Sequence, residues 1–341
     1  MKVIYHPEQK LHYPEHFLVN GRFQPNPERP ERVDRLLQGA LDAGCITEKT
    51  SFCEMAPLEA VQTSAYLEFL KRAHERWQHI EGAADAVTPN IHPDRRQVGY
   101  PASVVAQAGY HMTDAAAPIG AGSWKSICRS AWTAVQAADR VLAGDGCVYA
   151  LCRPPGHHAF ADMAGGFCYL NNSAIGAQRL RAATDRVAIL DVDLHHGNGT
   201  QSIFYKRSDV LTVSLHADPM RFYPFFWGYA SETGEGGGHG FNLNLPLERG
   251  SGDRVFQRAL SIALDRIEDF SPGALVVALG LDAFEGDPFG GLSISTRGFR
   301  EMAGMIAGRL DLPTLIVQEG GYLCDELGDN LSQFLTGIQG G

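Results

Sequence analysis

An α/β fold with a largely parallel sheet flanked by helices on both faces is what this sequence predicts, and two observations predict it. From Ser123 onward, segments of helical and strand character alternate, the pattern of a parallel sheet covered by helices. Four short apolar runs then end in residues with chemical potential. The run 147–152 leads to His157 and His158, the run 187–190 to Asp191, Asp193 and His195, the run 274–279 to Asp282, and the run 314–317 to Tyr322. Ligands of open α/β sheets bind at the carboxyl ends of strands, so four such ends predict one shared site and a single domain over 1–341.

The opening VIYHP reads as a first strand. NPERPERVDRLLQGALDAGC gives a Pro-punctuated entry to an amphipathic helix closed by Gly44. SAYLEFLKRAHERWQHI is a second helix whose aromatics fall at core spacing. Between Ile80 and Gly122, Pro89, Pro93, Pro101 and Pro118 break all periodicity. A loop of that length in a compact domain is usually functional or part of an interface, so the stretch 80–122 is read as an insertion forming a pocket rim or dimer contact. The alternating part follows: SAWTAVQAADRVLAG, VYALCR, NNSAIGAQRLRAA, VAILDVD, DVLTVSLH, RVFQRALSIALDRIEDF, ALVVALG, TRGFREMAGMIAGRL and TLIVQE. GEGGGHG reads as a flexible loop near the site, since it lacks the Lys-Ser/Thr of a phosphate cradle.

The composition narrows the classes. A chain of 341 residues, 44% of them apolar, suffices for one large domain. Seven cysteines without a Cys-x-x-Cys pair suit buried thiols in a reducing compartment. MKVIYHPEQKLHYPEH lacks the apolar core of a signal peptide, and no run reaches membrane-spanning length. The expectation is a cytoplasmic protein without a membrane partner. A net charge of -10 with no basic block excludes nucleic acid as a principal partner.

Within DVDLHHGNGT, Asp191, Asp193 and His195 alternate just past an apolar strand, and side chains two apart on a strand share a face. Carboxylates and an imidazole, with one position left for water, suit a catalytic Zn²⁺; Fe²⁺ accepts the same donors. Two anionic ligands acidify water less than three neutral histidines do, which makes a separate general base useful. Either His157 or His158 can fill that role, with Asp191 orienting its tautomer. Tyr322 can donate a hydrogen bond to a developing oxyanion. Together these groups specify amide hydrolysis through a tetrahedral intermediate.

CRPPGHHA, GGFCYLNN, DVDLHHGNGT, LGLDAF with DPFGGL, and EGGY resemble the signature blocks of the zinc-dependent histone deacetylase superfamily. DPMRFYPFFWGYASETGEG is most similar to its bacterial acetylpolyamine-amidohydrolase branch. The resemblance implies an arginase-deacetylase fold and a homodimer built around the early insertion. It implies Asp193, His195 and Asp282 as zinc ligands, His157 as general base, His158 as its partner and Tyr322 as the carbonyl-polarising phenol. Asp191 is then the carboxylate behind His157, and Asn198 stands where some relatives place a second aspartate. Gly166 and Phe167 match the substrate tunnel, with Phe225 or Phe226 as the opposite wall. A structural K⁺ is implied near Asp191, Asp193, His195, Ser214 and Leu215.

The expected substrates are therefore acetylated polyamines such as acetylputrescine, acetylcadaverine and acetylspermidine. Asp114 is the acidic residue expected near the tunnel mouth, with Asp85 and Asp94 as substitutes. Competing readings are an acetyl-lysine deacetylase acting on peptides, a non-catalytic sensor of acetylated amines, and a two-Mn²⁺ ureohydrolase.

Overall fold

The computed structural model of the chain describes residues 1–94 and 99–340. Residues 95–98, inside the expected insertion, and residue 341 lie outside the described part. Among the described residues ten strands are formed: β1 (Lys2–Tyr5), β2 (His16–Val19), β3 (Arg22–Pro25), β4 (Ile46–Lys49), β5 (Cys147–Ala150), β6 (Val187–Asp191), β7 (Val210–Ala217), β8 (Asn242–Leu247), β9 (Ala274–Leu279) and β10 (Thr314–Gln318). The helices are α1 (Glu31–Asp42), α2 (Ala56–Glu59), α3 (Ser64–Trp77), α4 (Val104–His111), α5 (Ser123–Arg140), α6 (Asn172–Arg181), α7 (Asn198–Phe204), α8 (Asp253–Phe270), α9 (Thr296–Arg309) and α10 (Leu327–Gln339).

Eight strands form one sheet in the order β4-β1-β5-β10-β9-β6-β7-β8, and every pairing in it is parallel. The four strands that carry the chemical motifs, β5, β10, β9 and β6, are therefore adjacent in the middle. Parallel neighbours end at the same edge, so their carboxyl ends open onto one place. Residues on both faces of these strands are buried, which is why they read as continuous apolar runs. On β6, Ala188 and Leu190 pack with α1, α8, α9 and α10, whereas Val187 and Ile189 pack with α5 and α6.

Several elements stand apart from the sequence expectation. The β2–β3 hairpin turns through Asn20 and Gly21, both at positive φ (51° and 72°), as a two-residue Asn-Gly turn requires. β4 and β8 form the two edges of the sheet. The stretch 80–122 is not wholly irregular, since it contains α4 and a bridge between Val87 and Ile119. A separate apolar cluster of α3, α4 and α5 side chains, including Tyr66, Phe69 and Ile127, supports this stretch. Among the described residues no helix is long and apolar enough to cross a membrane.

The segment before α1 is tied to the sheet by buried polar groups. Arg153, just past β5, donates to the carbonyls of Gln9 (2.7 Å) and His12 (2.8 Å) and to the Glu28 carboxylate (2.9 Å). His12 shares a 2.8 Å hydrogen bond through Nδ1 with Ser123 Oγ. Burial, reinforced by the Arg153 charge, pushes the His12 pKa down to about 3.

The folded protein thus keeps His12 neutral down to about pH 3, whereas an unfolded chain protonates it near its ordinary value of 6.5. This contribution to stability is complete above pH 6.5 and is lost as pH falls toward 3. A His12→Asn variant is expected to lose stability less steeply on acidification from pH 6.5 to 5, by at most about 1.4 kcal/mol per pH unit. Denaturant titrations of both proteins across that range check it, and parallel slopes refute it.

Candidate active site

β6 ends at Asp191, so the side-chain alternation beyond it has a different origin from strand pleating. Asp193 N–H donates to Asp191 Oδ1 (3.1 Å) and His195 N–H to Asp193 Oδ1 (2.8 Å), two successive Asx turns. These turns sort the three residues. Asp193 and His195 meet Asp282 from the end of β9, with one donor atom of each within 4.8 Å of the others. Asp191 turns away and accepts from His157 Nδ1 at 2.9 Å.

The donor set fits a divalent cation. Two carboxylates and an imidazole converge there, all buried, and Asp191 adds a third negative charge behind them. Burial and the charge of Asp193 raise the Asp282 pKa. Although burial opposes a charged ring, the carboxylates of Asp193 and Asp282 hold His195 up at about 9. Buried anions so crowded are ordinarily neutralised by protons or by a metal. Gly320 lets the EGGY loop pass close by: a Cβ there would collide with carboxylate oxygens of both Asp193 and Asp282. Its own N–H donates to Asp193 Oδ2 at 2.8 Å.

A second convergence, His157, Cys168 and Glu319, is a brace. Glu319 accepts from the N–H groups of Gly156 (2.6 Å) and His157 (3.0 Å) and from Ser173 Oγ (2.7 Å). It thereby fixes the loop after β5 that presents both histidines.

The two histidines lie in opposite environments although their rings are only 4.0 Å apart. His157 faces Asp191. Burial opposes its charge, but Asp193 and Asp191 outweigh this and hold its pKa up at about 10. His158 Nδ1 is 2.7 Å from the amide oxygen of Asn198, the first residue of α7. Burial and the neighbouring imidazoles push its pKa well below the usual range. Tyr322 is 4% exposed, and burial raises its phenol well above the usual pKa, so it is a neutral donor. Its ring is held by Phe289 (4.6 Å between centroids) and by the Arg32 guanidinium 5.0 Å from its centroid.

A cavity of about 410 Å³ leads to this place. His158, His195 and Tyr322 line it together with Phe167, Phe222, Tyr223 and Phe289, and the hairpin residues Phe17 to Asn20 form part of its rim. Phe167 and Phe225 both hold positive φ (66° and 58°), a conformation that costs bulky residues energy and clusters at functional sites. Of the two residues expected as the opposite wall, Phe225 is on the lining, joined by Phe222 and Tyr223. Phe226 is 84% exposed and lies off the lining, and Phe225, 47% exposed, lines the cavity without being its inner wall. Phe222 instead stacks on His195 (5.0 Å, 15°), and Tyr223 meets His158 edge-on (4.9 Å, 89°). The sequence signal was the aromatic run FYPFF, whose inner pair lies two to four residues before the one chosen. The Asn20-Gly21 turn was the available signal for the missed rim.

Asp114 does line the cavity, but its carboxylate accepts from Tyr223 Oη (2.7 Å), Ala116 N (2.8 Å) and Gly166 N (3.1 Å). Asp85 borders a different cavity with Tyr13 and His16, and Asp94 is not on the tunnel lining. Ser214 and Leu215 lie on β7, where Ser214 is the register partner of Asp191.

The geometry has counterparts among known proteins. The histone deacetylase domain model matches residues 26–338. The acetylpolyamine amidohydrolase of Burkholderia pseudomallei is 44% identical over 339 residues, covering 99% of this chain and 98% of that protein. Acetylpolyamine amidohydrolase 1 of Pseudomonas aeruginosa is 42% identical over 346 residues, covering 100% and 99%. A crystal structure of acetylpolyamine aminohydrolase from Burkholderia pseudomallei superposes with a TM-score of 0.96 at 43% identity, covering 99% of this chain and 98% of that one. With the family model spanning nearly all of the chain and the signature blocks meeting at one sheet edge, the chain belongs to the histone deacetylase family of hydrolases.

Proposed function

We propose that the chain hydrolyses acetylated polyamines and related small acetylated amines, among them acetylputrescine, acetylcadaverine and acetylspermidine, to free amine and acetate. The observation that carries this reading is the apolar-walled cavity ending at His158, His195 and Tyr322, beside Asp193 and Asp282. Its walls suit a methylene chain with an acetamide at its tip. The similar bacterial proteins are named for acetylpolyamine hydrolysis, which supports the same substrate class.

Asp193, His195 and Asp282 would hold the divalent metal, Zn²⁺ by family, and its chemistry there is Lewis-acid polarisation of the acetamide carbonyl. The environments of the two histidines support a division of labour opposite to the one implied by the resemblance. His158 directs Nδ1–H to Asn198 and is neutral, which leaves the Nε2 lone pair to take a proton from the attacking water. His157 is charged and buried, and its imidazolium offsets the developing oxyanion. The Tyr322 phenol donates to that oxyanion. His158 then returns its proton to the departing amine nitrogen.

Three further parts of the reading are proposed alongside. K⁺ is placed near Asp191, Asp193, His195, Ser214 and Leu215, supported by the pairing of Asp191 with Ser214 across β6 and β7. A homodimer through the 80–122 stretch is supported by exposed Ile91 and Tyr100. A cytoplasmic setting is supported by seven unpaired cysteines among the described residues.

His158→Ala is expected to lower kcat by about 10²–10⁴-fold and Tyr322→Phe by about 10²-fold, each with metal content unchanged. His157→Ala is expected to cost less than His158→Ala. Steady-state kinetics with metal analysis read these outcomes, and the reverse order of the two histidine variants would restore His157 as the base.

Gly320→Ala is expected to keep the fold by circular dichroism yet lose most of the bound metal, because the added methyl displaces two ligands. Full metal occupancy in that variant would show that the loop yields.

Substrate class is decided by kcat/KM on Zn²⁺-reconstituted protein for acetylputrescine, acetylcadaverine, acetylspermidine and an acetyl-lysine peptide. The free amines are expected to be better substrates than the peptide, and superior turnover of the peptide would replace this reading.

A further inference from the structure

Among the described residues, the lining of the tunnel carries one exposed cation and no available anion. Arg221 lies on that lining, immediately before the wall residue Phe222, and it is exposed. Among the described residues it makes no hydrogen bond and no ion pair. A second guanidinium, that of Arg249, sits 5.2 Å from the Phe222 ring centroid and donates to the Gly290 carbonyl at 2.9 Å. The same wall is thus backed by a further positive charge.

No acidic side chain on the lining offsets it. Among the described residues Asp114 is the sole carboxylate on the lining, and the protein already satisfies it through Tyr223, Ala116 and Gly166. An incoming ammonium would have to displace those donors, and leaving them unpaired is costly. Asn20, at the hairpin tip, is neutral, and Glu15 and Asp85 line a different cavity.

We propose that Arg221 is a specificity-determining residue that reads the charge at the far end of the substrate. It disfavours each ammonium group that the tail brings to the tunnel mouth, and it favours a neutral or carboxylate end. Among the acetylated amines that the site accepts, it ranks short acetamides with at most one distal ammonium above acetylated triamines, acetylspermidine among them, and tetraamines. This inference rests on the acetamide-hydrolase reading of the site. An exposed charge acts through water, so its influence is modest and is screened by salt.

The test is a charge ladder on a common four-carbon chain: 4-acetamidobutyrate, N-butylacetamide, acetylputrescine and acetylspermidine. These are compared for the wild-type holoenzyme, Arg221→Gln and Arg221→Lys, with kcat/KM from kinetics and Kd from calorimetry. For the wild type, kcat/KM should fall and Kd should rise along the series as positive charge is added. Arg221→Gln should raise kcat/KM for acetylspermidine by about five-fold at low salt and lower it for 4-acetamidobutyrate, with N-butylacetamide unchanged. Arg221→Lys should keep the wild-type order. The differences should shrink at about 0.5 M salt, which a purely structural role of Arg221 would not produce.

The same ladder in Arg221→Gln as in the wild type overturns the proposal, as does a wild-type preference for acetylspermidine over acetylputrescine. If no probe is hydrolysed, including neutral N-butylacetamide, the acetamide reading falls instead. The charge order of the Kd values then decides the role of Arg221 separately.

Discussion

A single buried carboxylate, that of Glu28, holds the active-site edge of the sheet together. It accepts from Arg32 at 2.6 Å and from Arg153 at 2.9 Å, with all three groups withdrawn from water. Burial alone would raise its pKa, but Arg153 and Arg32 outweigh that and keep it charged. Each guanidinium then reaches a different loop. Arg153 grips the N-terminal segment through the carbonyls of Gln9 and His12, and Arg32 grips the EGGY loop through the carbonyls of Glu319 (2.8 Å) and Gly321 (2.5 Å). Burying ions is expensive, and such a cluster holds only when its remaining hydrogen bonds are also made. Here the remaining guanidinium N–H groups go to backbone carbonyls, so charge compensation and loop placement are one event, while Glu28 Oε2 keeps only His12 Nε2 nearby, at 3.9 Å. The site inherits its order from this: the Arg32 guanidinium that fixes the loop also lies against the Tyr322 ring.

The same logic operates at smaller scale between the two histidines. They are consecutive in the chain and their rings lie 4.0 Å apart, tilted by 44°, yet one is backed by a carboxylate and the other by an amide. An Asp partner stabilises an imidazolium, whereas an Asn oxygen only selects a tautomer. Identical side chains thereby acquire different charge states, and the difference is written in Asp191 and Asn198.

The central architecture was legible because its strands are buried on both faces and end in chemically distinctive residues. VAIL, ALVVAL and TLIV could be little else between amphipathic helices, and their adjacency follows once their motifs must meet. What escaped reading has physical causes too. β4, with Ile46, Thr47 and Lys49 exposed, lacks the apolar signature of the inner strands, and α10 follows the last motif without a strand after it to reveal the alternation. Of the wall, Phe225 was legible and Phe222 and Tyr223 were not, because FYPFF offers four aromatics in five positions and only the backbone decides which of them turn inward. The Glu28–Arg32–Arg153 cluster was invisible for a different reason: charged residues in sequence read as surface, and burial of charge depends on partners more than a hundred residues away. The role of Asp114 was likewise set by its distant partner Tyr223.

The strand order has a consequence for how the chain comes into being. β10 is the last strand in sequence, yet it sits in the middle of the sheet, hydrogen-bonded to β5 on one side and β9 on the other. A ribosome delivers the chain from its N-terminus, so until about residue 318 has emerged, the sheet exists as two halves with open inner edges where the final strand belongs. Such edges invite pairing with the wrong strand. β10 must therefore emerge before the hydrophobic centre can close, and the newborn protein carries its greatest exposure to aggregation up to the moment at which its catalytic groups first meet.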